Sequence, residues 1–280
     1  MTITRIPHTE RKQMTSPIHS QSIDGVRYYT SPKTQQRFVS VTSVLSTLDK
    51  PALRYWVGKM VAQYAVDERS LWLPIADKDP KAAFDMIKGA PWRSTENSAA
   101  LGSAVHAAVE SRILGGSLNL DEIAEDVRPF VKSFLEFERM FEPQWEMSEA
   151  TVLSYKHGYA GTIDAIATFN KPELGLVGSY IIDWKTGKSG PYPDAALQLS
   201  AYRHADVVLL PNGTEEPLPQ IDGALVVKVR PRSYEVYPAD VSENTFKFFR
   251  HIQVAWKWVH EASKDVLGRP IRPVAVEVGA

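Results

Sequence analysis

The sequence contains no cysteine. That excludes disulfides, thiolate zinc sites and cysteine-ligated iron–sulfur clusters. A reducing cytoplasm fits the absence, and the cytoplasm is the expected compartment. No apolar run approaches the roughly 20 residues that span a bilayer, so no membrane partner is expected. Met1 to Ser20 lacks the apolar stretch of a signal peptide and reads as a flexible start. Excess charge of either sign is missing too: 32 Lys and Arg stand against 33 Asp and Glu. Any polyanion must therefore be held by a local basic patch. Internal repeats and low-complexity tracts are absent.

What is present is an ordinary globular balance, 44% hydrophobic and 23% charged over 280 residues. Two β-rich runs, Val26 to Thr30 and Arg37 to Val41, flank a turn at Ser31-Pro32-Lys33 and predict a hairpin. A short helix through Leu48 follows. Another starts at Pro51, with Leu53, Trp56, Val57, Met60 and Tyr64 on one face. Residues 66–95 are mixed, punctuated by Pro74, Pro80 and Pro91, with a helix at Ala82 to Lys88. Helices are predicted over Asn97 to Leu114 and Asp121 to Phe141.

The period then changes. Glu149 to Tyr155, Thr162 to Phe169 and Tyr180 to Trp184 read as strands, Pro193 to Leu209 as a helix. Gly223 to Val229 and Tyr234 to Tyr237 read as strands, and Val241 to Glu261 as a last helix. The order predicts an α/β domain with a mixed central sheet flanked by helices, plus a helical N-terminal lobe.

Asp183 and Lys185 stand two apart in the apolar strand Ile181-Ile182-Asp183-Trp184-Lys185, so both face one way. A plain ion pair accounts for them taken alone. Asp164, in Gly161-Thr162-Ile163-Asp164, places a second carboxylate on the preceding strand. If the two strands pair, the carboxylates share a face and repel unless a cation lies between them. Carboxylate oxygen suits magnesium or manganese, and Lys185 can then stabilise charge on a phosphate. Asp164 taken alone is an ordinary turn-flanking aspartate. Lys228, Arg230 and Arg232 alternate near one strand, as a phosphate track or as a charge-guarded edge. Trp256 and Trp258 read as packing residues.

Four motifs occur in order: Gly102-x-x-x-His106, Gly161-x-x-Asp164, Asp183-x-Lys185-Thr186-Gly187 and Gln198-x-x-x-Tyr202. Together they resemble the RecB-like branch of the PD-(D/E)XK nucleases. The nearest likeness is to phage exonucleases related to the CRISPR-associated cysteine-cluster nucleases. The motif matches run from about residue 97 to 203, and Val41 to Trp56 is similar in a less specific way. Ile163 stands where the superfamily's name has proline, and the cysteine cluster is absent.

The resemblance implies a restriction-endonuclease-like core over residues 96–265, after a flexible start (1–20) and a hairpin with a helical lobe (21–95), and before a tail (266–280). It implies a Mg2+- or Mn2+-dependent DNA nuclease without an iron–sulfur cluster. Asp164, Asp183, His106 and the Trp184 carbonyl would ligate the metal. Lys185 would act on water and the scissile phosphate, and Glu149 would be an accessory acid. Gln198 and Tyr202, one helical turn apart, would contact DNA or orient Lys185; Lys228 and Arg230 would meet the backbone. The implied role is end-processing in recombination, repair or phage genome handling, in the host cytoplasm if phage-encoded. A recombination or single-strand-binding protein would be the partner. An endonuclease with the same site and a DNA-binding or assembly protein without turnover are the alternatives.

Overall fold

The computed structural model describes residues 20–270. Residues 1–19 of the expected flexible start and 271–280 of the tail lie outside them. Among the described residues no helix is long and apolar enough to cross a membrane. Strands β1 (Ser20–Ile23), β2 (Val26–Thr30) and β3 (Arg37–Ser40) form an antiparallel meander, which leads into helix α1 (Val41–Leu45). Helices α2 (Pro51–Asp67), α3 (Arg69–Ala76), α4 (Pro80–Lys88) and α5 (Ala90–Ile113) follow, then α6 (Arg128–Phe141). The long strands β4 (Gln144–Ser154), β5 (Tyr159–Lys171) and β6 (Leu176–Lys185) come next. The chain ends with α7 (Asp194–Arg203), β7 (Val207–Leu209), β8 (Glu215–Pro217), β9 (Gly223–Arg230), β10 (Ser233–Ala239) and α8 (Glu243–His260).

The ten strands of the described residues join one mixed, largely antiparallel sheet flanked by helices. Among the described residues, only β3 with β5 and β6 with β9 pair in parallel. Alternation along the strands sorts side chains to the two faces. Ile181, Ala224 and Val226 pack with α1, α7 and α8 through Val44, Leu199, Phe249 and Trp256. Their sequence neighbours Ile182, Leu225 and Val227 pack on the other face with α5 and α6, through Val105, Val109, Phe134 and Phe137. In α2 the expected stripe is half-buried at Trp56, Val57, Met60 and Tyr64, while Leu53 is exposed.

Several boundaries differ from the sequence reading. Helix α7 stops at Arg203, and Val207–Leu209 pairs with β4 as a strand. Asp206 makes the break: its N–H donates to the Leu153 carbonyl and its carboxylate accepts from the Lys156 N–H. Helix α6 begins at Arg128, with Pro129 in its first turn where a missing N–H costs nothing. Pro91 likewise opens α5 seven residues earlier than expected. Helix α3 forms despite Pro74, and the short strands β1 and β8 carried too few residues to show a period.

Candidate functional site

Strand β5 is shared along one edge. Its first residues, Tyr159 and Ala160, pair with β3, and Ala165 to Lys171 pair with β6. Asp164 lies in the fork between the two partners. The register Ala165↔Ile182, continued by one residue, sets Asp164 opposite Asp183. Here β6 turns from backbone pairing to side-chain pairing, because the Trp184 N–H donates to Asp164 Oδ2 at 2.8 Å. The Trp184 indole points to the other face, edge-on to Phe134 and Phe137, which anchors the end of β6.

On the opposite edge of β5, Glu149 interrupts β4. It has φ +49°, a left-handed value that a non-glycine residue in a strand seldom adopts. The ladder skips it: Ser148 pairs with Ala165 and Ala150 with Ile163. Met147 and Ala150, three apart, both pack toward the α7–α8 face, so the strand changes its facing across Glu149. Alternation alone would not have aimed this carboxylate.

Helix α5 supplies the imidazole. Val105, Val109 and Ile113 bury against α6 and the sheet. At Gly102 a Cβ would come within 3.2 Å of Thr186 Oγ1, so the glycine lets the helix lie against the end of β6. One turn on, His106 Nδ1 is 3.9 Å from Asp164 Oδ2 and 4.0 Å from Glu149 Oε1. Both are too long for hydrogen bonds. One donor atom from each of His106, Glu149 and Asp164 falls within 4.8 Å of the others. Ligands about 2.1 Å from a common ion stand up to about 4.2 Å apart, so the His106 spacings suit a shared cation.

Asp183 is only 2% exposed. Its Oδ1 accepts from Lys185 Nζ at 2.7 Å and from Gln198 Nε2 at 3.0 Å, whereas Oδ2 is buried without a partner. Burial, then repulsion from Asp164, pushes the Asp183 carboxyl up to about 6. Burial, with Glu149 adding to it, raises Asp164. For His106 burial pulls the other way, but Glu149, Asp164 and Asp183 outweigh it and hold the imidazole above its ordinary value. Lys185 follows the same pattern: burial lowers it, and Asp183 and Asp164 more than restore it. Burial and mutual repulsion thus raise both aspartates, while the same acids favour the charged forms of His106 and Lys185.

The remaining expected residues fall in different places. Tyr202 is buried, with its ring against the backbone of Gly161; a Cβ there would meet Tyr202 Cε1 at 2.3 Å. Burial, with Asp164 and Asp183 adding to it, raises its hydroxyl, so it lies close to the acids. Lys228 is 1% exposed, and its ammonium donates to the Gly190 carbonyl. Arg230 pairs with Glu235 at 3.1 Å, and Arg232 lies in the β9–β10 turn with φ +73°. These cations do not form an open track. Trp256 is buried, while Trp258 is 54% exposed.

Glu110 was not anticipated. It stands one turn after His106 on α5, and its Oε1 is buried without a partner. Burial, then repulsion from Glu149, pushes it up to about 7. Its i+4 spacing from His106 was the only available signal, and meant nothing until β4 was known to pass that face. Also unanticipated is a cleft of about 920 Å³ beside Lys185 and Gln198. One wall is the α1–α2 connection with Thr47 and Lys50, continued by Arg54 in the first turn of α2; the other carries Ser189, Pro191 and Tyr192. Lys50 Nζ ties the first wall to Asp194 of α7 at 2.6 Å. No family model matches the chain, and no curated protein matches it.

Proposed function

We propose that the chain is a divalent-metal-dependent deoxyribonuclease built on a restriction-endonuclease-like core, acting on DNA ends. One observation carries the reading: where the sheet forks, His106, Glu149, Asp164 and Asp183 converge with Lys185, and one buried Asp183 oxygen is left without a partner.

The donor set fits a metal. Carboxylate oxygens suit Mg2+ or Mn2+, and imidazole favours manganese. His106, Glu149 and Asp164 would hold the ion, with Asp183 facing Asp164 from the neighbouring strand. When bound, the ion would supply Lewis acidity toward a phosphate and lower the pKa of a water. The chain's own residues do the rest. Lys185, held protonated, offers positive charge to a phosphate oxygen. Gln198 and Asp183 fix where its ammonium lies. Tyr202 backs the strand at Gly161. The cleft beside Lys185 gives a DNA strand room to approach, with Lys50 and Arg54 at its rim.

The test is incubation of purified protein with MgCl2 or MnCl2 on linear and closed circular DNA, single- and double-stranded. Linear DNA should be degraded progressively, with closed circles resistant. Prompt nicking of circles replaces end-dependence with endonuclease action. DNA left intact in every combination overturns the nuclease reading.

A further inference from the structure

Strand β9 is apolar and buried from Ala224 to Val227 and again at Val229. Lys228 interrupts it with a side chain 1% exposed. An ammonium costs free energy there unless it is well partnered, and a methionine would fill a similar volume without that cost. What distinguishes lysine is its contact. Lys228 pairs in parallel register with Lys185, so the two side chains rise from the same face of the sheet. Lys185 turns to Asp183, and Lys228 turns to the Gly190 carbonyl.

Gly190 is the midpoint of the segment from Gly187 to Pro193, which joins the end of β6 to α7. The segment belongs to no helix or strand, and Gly190 adopts φ +84°. It folds back on itself through Ser189 Oγ and Tyr192 OH, 2.8 Å apart. Ser189, Pro191 and Tyr192 form one wall of the cleft. Lys185 and Gln198, the two donors to Asp183, lie on either side of it along the chain.

We infer that Lys228 is a positioning residue: it pins the Gly187–Pro193 segment at Gly190 and so holds the cleft wall in place for substrate. The pinning stands on the geometry; its kinetic consequence rests on the nuclease reading above. The test uses the full chain with Lys228→Met, which removes only the donor, and Lys228→Arg, which restores one. Hydrogen exchange of a peptide covering residues 186–193 should accelerate at least about tenfold in Lys228→Met and stay near wild type in Lys228→Arg. In the same preparations the KM for linear DNA should rise about fivefold or more in Lys228→Met, with kcat within about twofold and the melting temperature unchanged. If Lys228→Met does not fold, Lys228→Gln takes its place. Unchanged exchange overturns the pinning. Faster exchange with unchanged KM, or a fall in kcat together with melting temperature, overturns the positioning role. Absence of cleavage in wild type overturns the nuclease reading, while exchange still decides what Lys228 does.

Discussion

Lys185 Nζ donates to one carboxylate oxygen of Asp183 at 2.7 Å, and the other oxygen, though buried, has no partner. The two oxygens are thereby made inequivalent. One is held by Lys185 and Gln198, and the other has no partner among the described residues. A buried polar atom without a partner costs about 1–3 kcal/mol, more if charged, so any cation that reaches it gains that much in return.

Replacing Lys185 should separate chemistry from binding. Lys185→Ala removes positive charge from the site but leaves the α5, β4 and β5 contributions in place. Cleavage should fall more than about a hundredfold, as for loss of a transition-state charge partner. Affinity for DNA, measured by fluorescence anisotropy in calcium, should change little. Cleavage near the wild-type rate would remove Lys185 from the site.

The pH dependence of the metal-free protein follows from Asp183. Its folded pKa, about 6, lies above the ordinary carboxyl value of about 3.9. The folded state therefore binds the proton more tightly than the unfolded state. The group's contribution to stability is full below pH 4 and is lost as pH rises through about 6. Asp164 and His106 are shifted in the same direction. In EDTA, Asp183→Asn should thus be more stable than wild type above pH 6, by up to about 3 kcal/mol, and no more stable at pH 4. Mn2+ at about 1,000 times its Kd should reverse the order, since it adds about 4.1 kcal/mol to wild type. Parallel melting curves from pH 4 to 8, with and without metal, would contradict this.

His106 should govern the choice of ion. Its imidazole is the one nitrogen donor beside carboxylates that suit magnesium equally well. Manganese should support cleavage at lower concentration than magnesium, and calcium should bind without supporting it. His106→Ala should erode the manganese advantage more than it weakens magnesium. Rate titrations with each metal decide the matter: a mutant with the wild-type manganese midpoint makes His106 a packing residue.

Gly161 should prove intolerant for a steric reason. A Cβ would lie 2.3 Å from Tyr202 Cε1, and overpacking of this kind costs roughly 1–3 kcal/mol. Gly161→Ala should be destabilised by that amount in urea. Combined with Tyr202→Ala, whose cavity admits the new methyl, it should cost clearly less than the sum of the single changes. Strict additivity would mean that ring and glycine do not touch.

The parts of the site legible in the sequence were those set by strand and helix periods. Asp183 and Lys185 share a face because they are two apart, and Asp164 meets them because β5 and β6 pair as antiparallel neighbours. Glu110 and the burial of Lys228 were hidden for a different reason. Each owes its environment to an element distant in sequence: Glu110 to β4, and Lys228 to the parallel pairing of β9 with β6. A lysine in an apolar strand reads as an exposed edge until the neighbouring strand is known. In the fold, α7 was cut short by Asp206, whose partners Leu153 and Lys156 lie some fifty residues earlier.

The parallel seam between β3 and β5 bears on how far the half that carries the four motifs can be moved between proteins. Val39 and Ser40 pair with Tyr159 and Ala160, and Tyr29 OH lies 2.9 Å from Thr162 Oγ1. Phe38 and Tyr29 pack with Leu153 and Ala160 in a small cluster of their own. A segment cut at residue 96 would leave that stretch of β5 with open amides and carbonyls beside an uncovered apolar patch. Such an edge recruits other chains. The four motifs, although they fall after residue 96, are not a transplantable cassette, and grafting them elsewhere means bringing the opening meander along.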